Sequence, residues 1–140
     1  MNNISIVIPA RYNSSRFPGK PLAKILGKEM IVRVCDICSK VLKRKNIYVA
    51  TDDNRISAVV KKKGYNFIKT KEGCLTGTDR VFYASKKIKS NLIINVQGDE
   101  PIIDSADINK IIKAKKKFPH HVICGFNKIT LLEAKNKNIP

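Results

Sequence analysis

The chain is expected to be an α/β protein with a three-layer, doubly wound, mainly parallel sheet, and three observations lead there. Short runs rich in Ile and Val alternate with segments of helical periodicity along nearly the whole chain. Capping and turn residues stand at most of the junctions. The resulting β-α-β-α-β-α-β-α-β series has one common solution: right-handed crossovers return each strand beside an earlier one and lay helices on both faces.

The strands are expected at Ile4 to Ile8, Ile47 to Thr51, Tyr65 to Lys69, Leu92 to Val96 and His121 to Phe126. Helical periodicity covers residues 29–44, 54–63, 78–88 and 105–117. Asp53, Gly77 or Thr78, and Asp104 or Ser105 are candidate helix starts, and Gly64 follows Lys63 as a helix stop. In the usual doubly wound arrangement the first four strands lie in the order 3-2-1-4, and ligands bind beyond the carboxyl ends of strands 1 and 4. Two loops would wall that crevice: Pro9 to Pro21, and Gln97-Gly98-Asp99-Glu100-Pro101.

With 140 residues the chain fits one α/β domain, residues 1–140, large enough to bury a core without disulfides or a structural metal. No apolar run approaches the roughly 20 residues of a membrane span, and Met1-Asn2-Asn3 leads straight into strand residues. A cytoplasmic protein with no membrane partner is expected. The formal net charge of +17 attracts anions in general. Much of it is lysine on helix faces (Lys61 to Lys63, Lys86, Lys87, Lys89, Lys113, Lys115 to Lys117), which reads as solvation. Aromatic residues are few, Trp is absent and no ring interrupts the lysine runs, so nucleic acid is not the expected partner. Of Cys35, Cys38, Cys74 and Cys124, the first two form a C-x-x-C inside the apolar stripe Met30, Val34, Ile37 and Val41. No second such motif accompanies it, so free, buried or half-buried thiols in a reducing compartment are expected. His120 and His121 would point to opposite faces of an extended segment.

The informative stretch is P-A-R-Y-N-S-S-R-F-P-G-K-P, residues 9–21, directly after the first strand. It does not satisfy the P-loop pattern, because neither Ser nor Thr follows Gly19-Lys20, and the dinucleotide-binding G-x-G-x-x-G is absent too. What it offers is Arg11, Arg16 and Lys20 on a conformationally restricted loop, facing Asp99 and Glu100 across the crevice. Arginine forks hold phosphate oxygens at two points, and lysine supplies a movable charge. A carboxylate at a strand end suits Mg²⁺, which takes one or two protein carboxylates together with phosphate oxygens and water. That combination serves nucleotidyl transfer, where an α-phosphate is polarised and a pyrophosphate leaving group neutralised. Arg11 and Lys20 are the candidate catalytic residues, Arg16 a further phosphate ligand and Asp99 the candidate metal ligand.

Taken in order, P-A-R-Y-N-S-S-R-F-P-G-K-P-L, G-K-E-M-I, A-T-D-D, T-G-T-D-R and N-V-Q-G-D-E-P resemble the 3-deoxy-manno-octulosonate cytidylyltransferases, the CMP-Kdo synthetases, from about residue 4 to about residue 112. The resemblance implies a Rossmann-like nucleotidyltransferase fold of the nucleotide-diphospho-sugar transferase type, incomplete at its C-terminus. It implies CTP and Kdo as substrates, CMP-Kdo and pyrophosphate as products, Mg²⁺ as cofactor, and a role in lipopolysaccharide or other surface polysaccharide synthesis. By the same resemblance Ala10 and Arg11 touch the nucleotide, Arg16 and Lys20 its phosphates, Thr76, Gly77, Thr78 and Arg80 frame cytosine and ribose, Gln97 lies toward nucleotide or sugar, and Asp99 holds the metal. Thr76 stands where the family usually has Ser, and Cys124 to Lys128 fit the family poorly. Family members are also longer: a second metal-binding aspartate, most sugar contacts and much of a homodimer interface are expected beyond this stretch. The chain is therefore expected to be a nucleotide-binding part with little or no turnover alone. Two other readings stand beside it: the same chemistry on a nine-carbon, sialic-acid-type sugar, and a non-catalytic polyanion-binding module.

Overall fold

Ile4–Pro9 forms β1, and its neighbours on both sides explain its composition. In the computed structural model, which describes residues 3–126, β1 lies between β4 (Ile47–Thr51) and β6 (Leu92–Asn95), with β5 (Asn66–Lys69) beyond β4. All pairings in this sheet are parallel. A central parallel strand is covered on both faces, so it reads as a continuous apolar run rather than an alternation. Ile6, Val7 and Ile8 are accordingly inaccessible to solvent. The order β5-β4-β1-β6 is the expected 3-2-1-4. Two compact units divide the chain at Ser105, residues 1–105 and 106–140.

In the first unit, register fixes which residues share a face. Ile6 pairs with Ile47 and Ile8 with Val49, while Val7 pairs with Tyr48 and Pro9 with Ala50. The Ile8 side receives α1 (Met30–Ser39), which buries Ile31, Val34, Cys35 and Cys38. α2 (Asn54–Lys62) packs against β4 and β5 and buries Ile56 and Val60. The opposite face receives α3 (Gly77–Ser85), whose Val81 and Ala84 join Val7 and Ala50 in one cluster, flanked by Ile68, Ile88 and Ile93. The C-x-x-C thiols are thus core side chains: burial raises Cys38 to about 12 and Cys35 further still.

Element boundaries follow local chemistry. Asp53 caps α2 by accepting from the Arg55 and Ile56 amides, as expected, and Gly64 ends that segment at φ +76°. For α3 the cap is Thr76, not Gly77 or Thr78. Thr76 and Asp79 form a reciprocal capping box that starts the helix one residue before the expected span. Residues 29–44 do not form one helix. After Ser39 the amides of Val41 and Leu42 both turn back to the Cys38 carbonyl, and a 3₁₀ turn at Arg44–Asn46 leads into β4. A hairpin of β2 (Lys24–Ile25) and β3 (Lys28–Glu29) was not anticipated. Leu26 at φ +48° and Gly27 at φ +77° make its turn, and Arg33 of α1 donates to the Ile25 carbonyl beneath it (Nε, 2.8 Å).

Helix α4 (Ser105–Lys117) starts at the division and from Ala106 onward belongs to the second unit. Lys115 to Lys117 fill its last turn, where cations meet the negative helix end. The expected fifth strand, His121 to Phe126, is irregular. A strand needs a backbone ladder, and among the described residues this segment has none. The His121 amide turns back to the Phe118 carbonyl, and Lys115 Nζ takes the Pro119 and His121 carbonyls. Val122 and Phe126 are about nine-tenths exposed, and Cys124 is exposed rather than buried or half-buried. The helix-like Leu131 to Lys135 lies outside the described residues. Among the described residues no helix is long and apolar enough to cross a membrane.

Two stability predictions follow from the first unit. A Cβ on Gly98 would lie 2.6 Å from the Pro9 carbonyl oxygen, so Gly98→Ala is expected to cost about 1–3 kcal/mol in urea unfolding. The second concerns Asp36, which accepts from Tyr65 Oη and Lys28 Nζ, each at 2.6 Å. Burial opposes its charge, but these two hydrogen bonds prevail and hold its carboxyl below the usual range. Burial and the bond to Asp36 in turn push Tyr65 from 10.0 to about 12. The folded state therefore keeps a proton there that the unfolded chain releases. Its contribution is complete below pH 10 and is lost as pH rises toward about 12. Urea midpoints across that window should fall more steeply for the parent than for Tyr65→Phe.

Candidate functional site

The carboxyl edge of the sheet collects four chain segments. β1 hands over to Ala10, which is buried and donates its amide to the Ala50 carbonyl (2.9 Å), so the strand pairing runs one residue beyond Pro9. The loop then closes on itself: the Gly19 amide donates to the Tyr12 carbonyl (2.8 Å), and a 3₁₀ turn at Lys20–Leu22 follows. Gly19 is at φ +74°, and a Cβ there would meet the Tyr12 ring at 3.0 Å, so conformation and space both require glycine. Prolines 18 and 21 restrict the remainder.

This closure aims Lys20 across the edge. Its Nζ donates to Asp99 Oδ2 at 2.9 Å, so the two loops that were expected to face each other are in direct contact. Both side chains remain accessible, 37% and 55%, so the pair contributes at most about 1 kcal/mol and is readily exchanged for other partners. Beneath it, Gly98 packs against the Pro9 carbonyl, and Gln97 comes close to Gly77 at the start of α3. The loop after β1, the loop after β6 and the start of α3 therefore meet at one place.

A cleft of about 220 Å³ opens beside this meeting point, lined by Arg11, Tyr12, Asn13, Asp52, Asp53, Glu72, Cys74 and Arg80. The carboxylates and Cys74 were not among the candidates from sequence, and only A-T-D-D gave a hint of Asp52 and Asp53. Arg80 is buried, and its guanidinium donates to Asp52 Oδ2 (3.1 Å) and to the Thr70 hydroxyl. The Thr70 amide donates in turn to the Thr51 carbonyl (2.9 Å). Arg80 thereby ties α3 to the segments after β4 and β5.

The candidates separate into groups. Lys20 and Asp99 are joined; Arg11 and Arg80 line the cleft; Gly77 and Gln97 adjoin at the start of α3. Thr76 is engaged in the capping box, and Thr78 is exposed. Arg16 is exposed and makes no ion pair or hydrogen bond among the described residues. Also among them, no group of three or more His, Cys, Asp or Glu side chains could hold a metal ion.

A doubly wound parallel sheet whose carboxyl-edge loops carry exchangeable cations beside a carboxylate is the framework of the Rossmann-like nucleotidyltransferases. The chain belongs to the cytidylyltransferase family, whose sequence model matches residues 5–138. It is 45% identical over 120 residues to an 8-amino-3,8-dideoxy-manno-octulosonate cytidylyltransferase of Shewanella baltica strain OS195, with 84% of this chain and 49% of the relative covered. It also resembles the structure of a CMP:2-keto-3-deoxy-manno-octonic acid synthetase complexed with CTP, at TM-score 0.81 and 40% identity, covering 84% of this chain and 49% of that one. A cytidylyltransferase from Leptospira borgpetersenii shares the fold at TM-score 0.70 and 23% identity, over 81% of this chain and 49% of that one. The chain spans about half the length of these relatives.

Arg80→Ala would leave Asp52 with its buried partner removed. Losing the charge-assisted hydrogen bond at such a part-buried pair typically costs about 1.5–3 kcal/mol. Urea unfolding should show a loss of that size, and Arg80→Lys should recover only part of it, because one ammonium does not reproduce the fork to Asp52 and Thr70.

Proposed function

We propose that this chain is the nucleotide-binding part of an enzyme that joins CTP to an eight-carbon 3-deoxy-octulosonic acid. In the reaction the anomeric hydroxyl oxygen bonds to the α-phosphorus and the bond to the bridging oxygen of the β-phosphate breaks. Pyrophosphate leaves, and the hydroxyl proton passes to solvent or a base. The observation that carries this reading is the Lys20–Asp99 contact across the carboxyl edge, in a chain of this family. A weak, accessible pair holds the two groups where a triphosphate can take Lys20 and a cation can take Asp99. Arg11, at the mouth of the cleft, and Arg16, exposed on the same loop, supply further charge for phosphate oxygens. The relatives support the sugar class: one is named for the 8-amino form of the acid and one for 2-keto-3-deoxy-manno-octonic acid itself.

Cytidylyltransferases generally use a divalent metal. The donor set fits Mg²⁺ in particular: one carboxylate, Asp99, with room for phosphate oxygens and water in place of a cage of protein ligands. Bound there, the ion would polarise the α-phosphate and neutralise charge on the leaving group. Asp99 would hold the ion and Lys20 the departing phosphates. Arg80, fully engaged with Asp52 and Thr70, would act on the nucleotide by shaping the cleft wall rather than by direct charge.

Calorimetric titration of the chain with CTP in the presence of Mg²⁺ should show saturable binding. Lys20→Ala should weaken it about tenfold or more, the cost of one charge-assisted hydrogen bond. Asp99→Asn should abolish the gain that Mg²⁺ brings. Unchanged affinity in both variants would remove the assigned roles. In the complete enzyme either change should lower turnover on the order of 10²–10³-fold. Pyrophosphate release assayed with the 8-hydroxy and 8-amino acids would identify the sugar.

A further inference from the structure

We propose that Arg55 is a positioning residue for the loop after β1: held by Asp53, its guanidinium clamps the Tyr12 ring, and through Tyr12 it sets the placement of Gly19 and Lys20. The role in nucleotide binding rests on the function proposed above; the clamp itself does not.

The geometry is a chain of contacts with few loose members. Asp53 is fixed as the cap of α2, its Oδ1 accepting from the Arg55 amide at 2.8 Å and the Ile56 amide at 3.4 Å. The same carboxylate holds the Arg55 fork, Nε to Oδ1 at 3.1 Å and Nη2 to Oδ2 at 2.7 Å. The bond from Arg55, against a smaller effect of burial, keeps the Asp53 carboxyl below its usual range. So held, the guanidinium carbon lies 3.2 Å from the centroid of the Tyr12 ring, in stacking contact. The ring is also engaged by Gly19, whose amide donates to the Tyr12 carbonyl and where a Cβ would fall 3.0 Å from ring atoms Cε2 and Cζ. The next residue, Lys20, reaches Asp99. Asp53, Arg55, Tyr12, Gly19, Lys20 and Asp99 thus connect the start of α2 to the loop after β6.

A purely structural role for Arg55 predicts something different. Its side chain is 58% exposed. An exposed ion pair and an exposed cation–π contact add little to global stability. Local opening of a surface loop takes far less free energy than unfolding, so the same contacts weigh heavily on the loop. Losing the clamp should free the loop and leave the fold intact.

Trypsin reads this directly, because the loop offers the Arg11–Tyr12 and Arg16–Phe17 bonds while Pro21 protects the bond after Lys20, and the second bond lies away from every varied residue. The 140-residue chain would be digested briefly under native conditions as parent, Arg55→Met, Tyr12→Leu and Tyr12→Phe, with cleavage after Arg16 followed by mass spectrometry. Urea midpoints and CTP·Mg²⁺ affinity would be measured on the same samples. Arg55→Met and Tyr12→Leu should be cut about tenfold faster with midpoints unchanged, and Tyr12→Phe, which keeps the ring, should match the parent. Equal cutting of Arg55→Met and parent would overturn the clamp, as would faster cutting that tracks a fall in midpoint. Where the parent binds CTP, Arg55→Met should bind several-fold more weakly, and equal binding would overturn its positioning role. A parent that binds no CTP while cutting behaves as described would leave the clamp standing and remove the nucleotide reading instead.

Discussion

The close approach of Gly98 to the end of β1 is the constraint on which the rest of the site depends. With 2.6 Å between the Pro9 carbonyl oxygen and any Cβ at position 98, the two backbones meet at a separation that no other residue permits. That approach brings the loop after β6 against the loop after β1 at the point where crossovers depart in opposite directions. β1 leads through α1 to β4 on one side, and the chain returns through α3 to β6 on the other. Parallel strands alone leave a crevice there. Gly98 narrows it until a lysine on one wall reaches a carboxylate on the other.

Two ion pairs near this edge differ sharply in burial. Arg80–Asp52 and Lys20–Asp99 are of similar length, 3.1 and 2.9 Å. The first is almost wholly withdrawn from water, with exposures of 4% and 19%, and its guanidinium also satisfies Thr70. Disrupting it leaves a half-buried carboxylate and a hydroxyl without their donor, so it acts as a fixed tie among three segments. The second remains solvated and costs little to open. The same kind of contact is a fixed tie in one place and a readily opened surface pair in the other.

How much of this was legible in sequence depends on how local the signal was. The parallel sheet and its strand order followed from continuous apolar runs separated by helical spacing, because central strands must be apolar on both faces. That Lys20 faces Asp99 followed from topology, once the two loops were assigned to strands 1 and 4; the direct ion pair between them did not. The hairpin at Lys24–Glu29 was hidden because Leu26 occupies a positive-φ position that normally advertises itself with Asn or Gly. The strand expected at His121 to Phe126 had the right composition but no ladder among the described residues, and composition cannot report a missing neighbour. Arg80 was assigned to the ligand by its motif. Its burial among Asp52 and Thr70 depends on residues 28 and 10 positions away, which periodicity does not reveal.

The same distances explain why the acidic wall of the cleft escaped notice. Asp52, Asp53 and Glu72 lie on the segments that follow β4 and β5, the strands on one side of β1, whereas the expected crevice drew only on the loops after β1 and β6. Arg11 lines the cleft. Lys20 and Asp99 are open to water; in the cleft Asp52 and Asp53 are matched by Arg80 and Arg55, and Glu72 lines it as well. A polyanion gains most from cations whose partners are easily surrendered, which under the proposed function would direct phosphate oxygens to the Lys20 side. Under the proposed function, the cleft, with Asp52 and Asp53 already paired, would take the neutral polar end of the ligand. A nucleotide presents that combination of one highly charged end and one neutral, directional end.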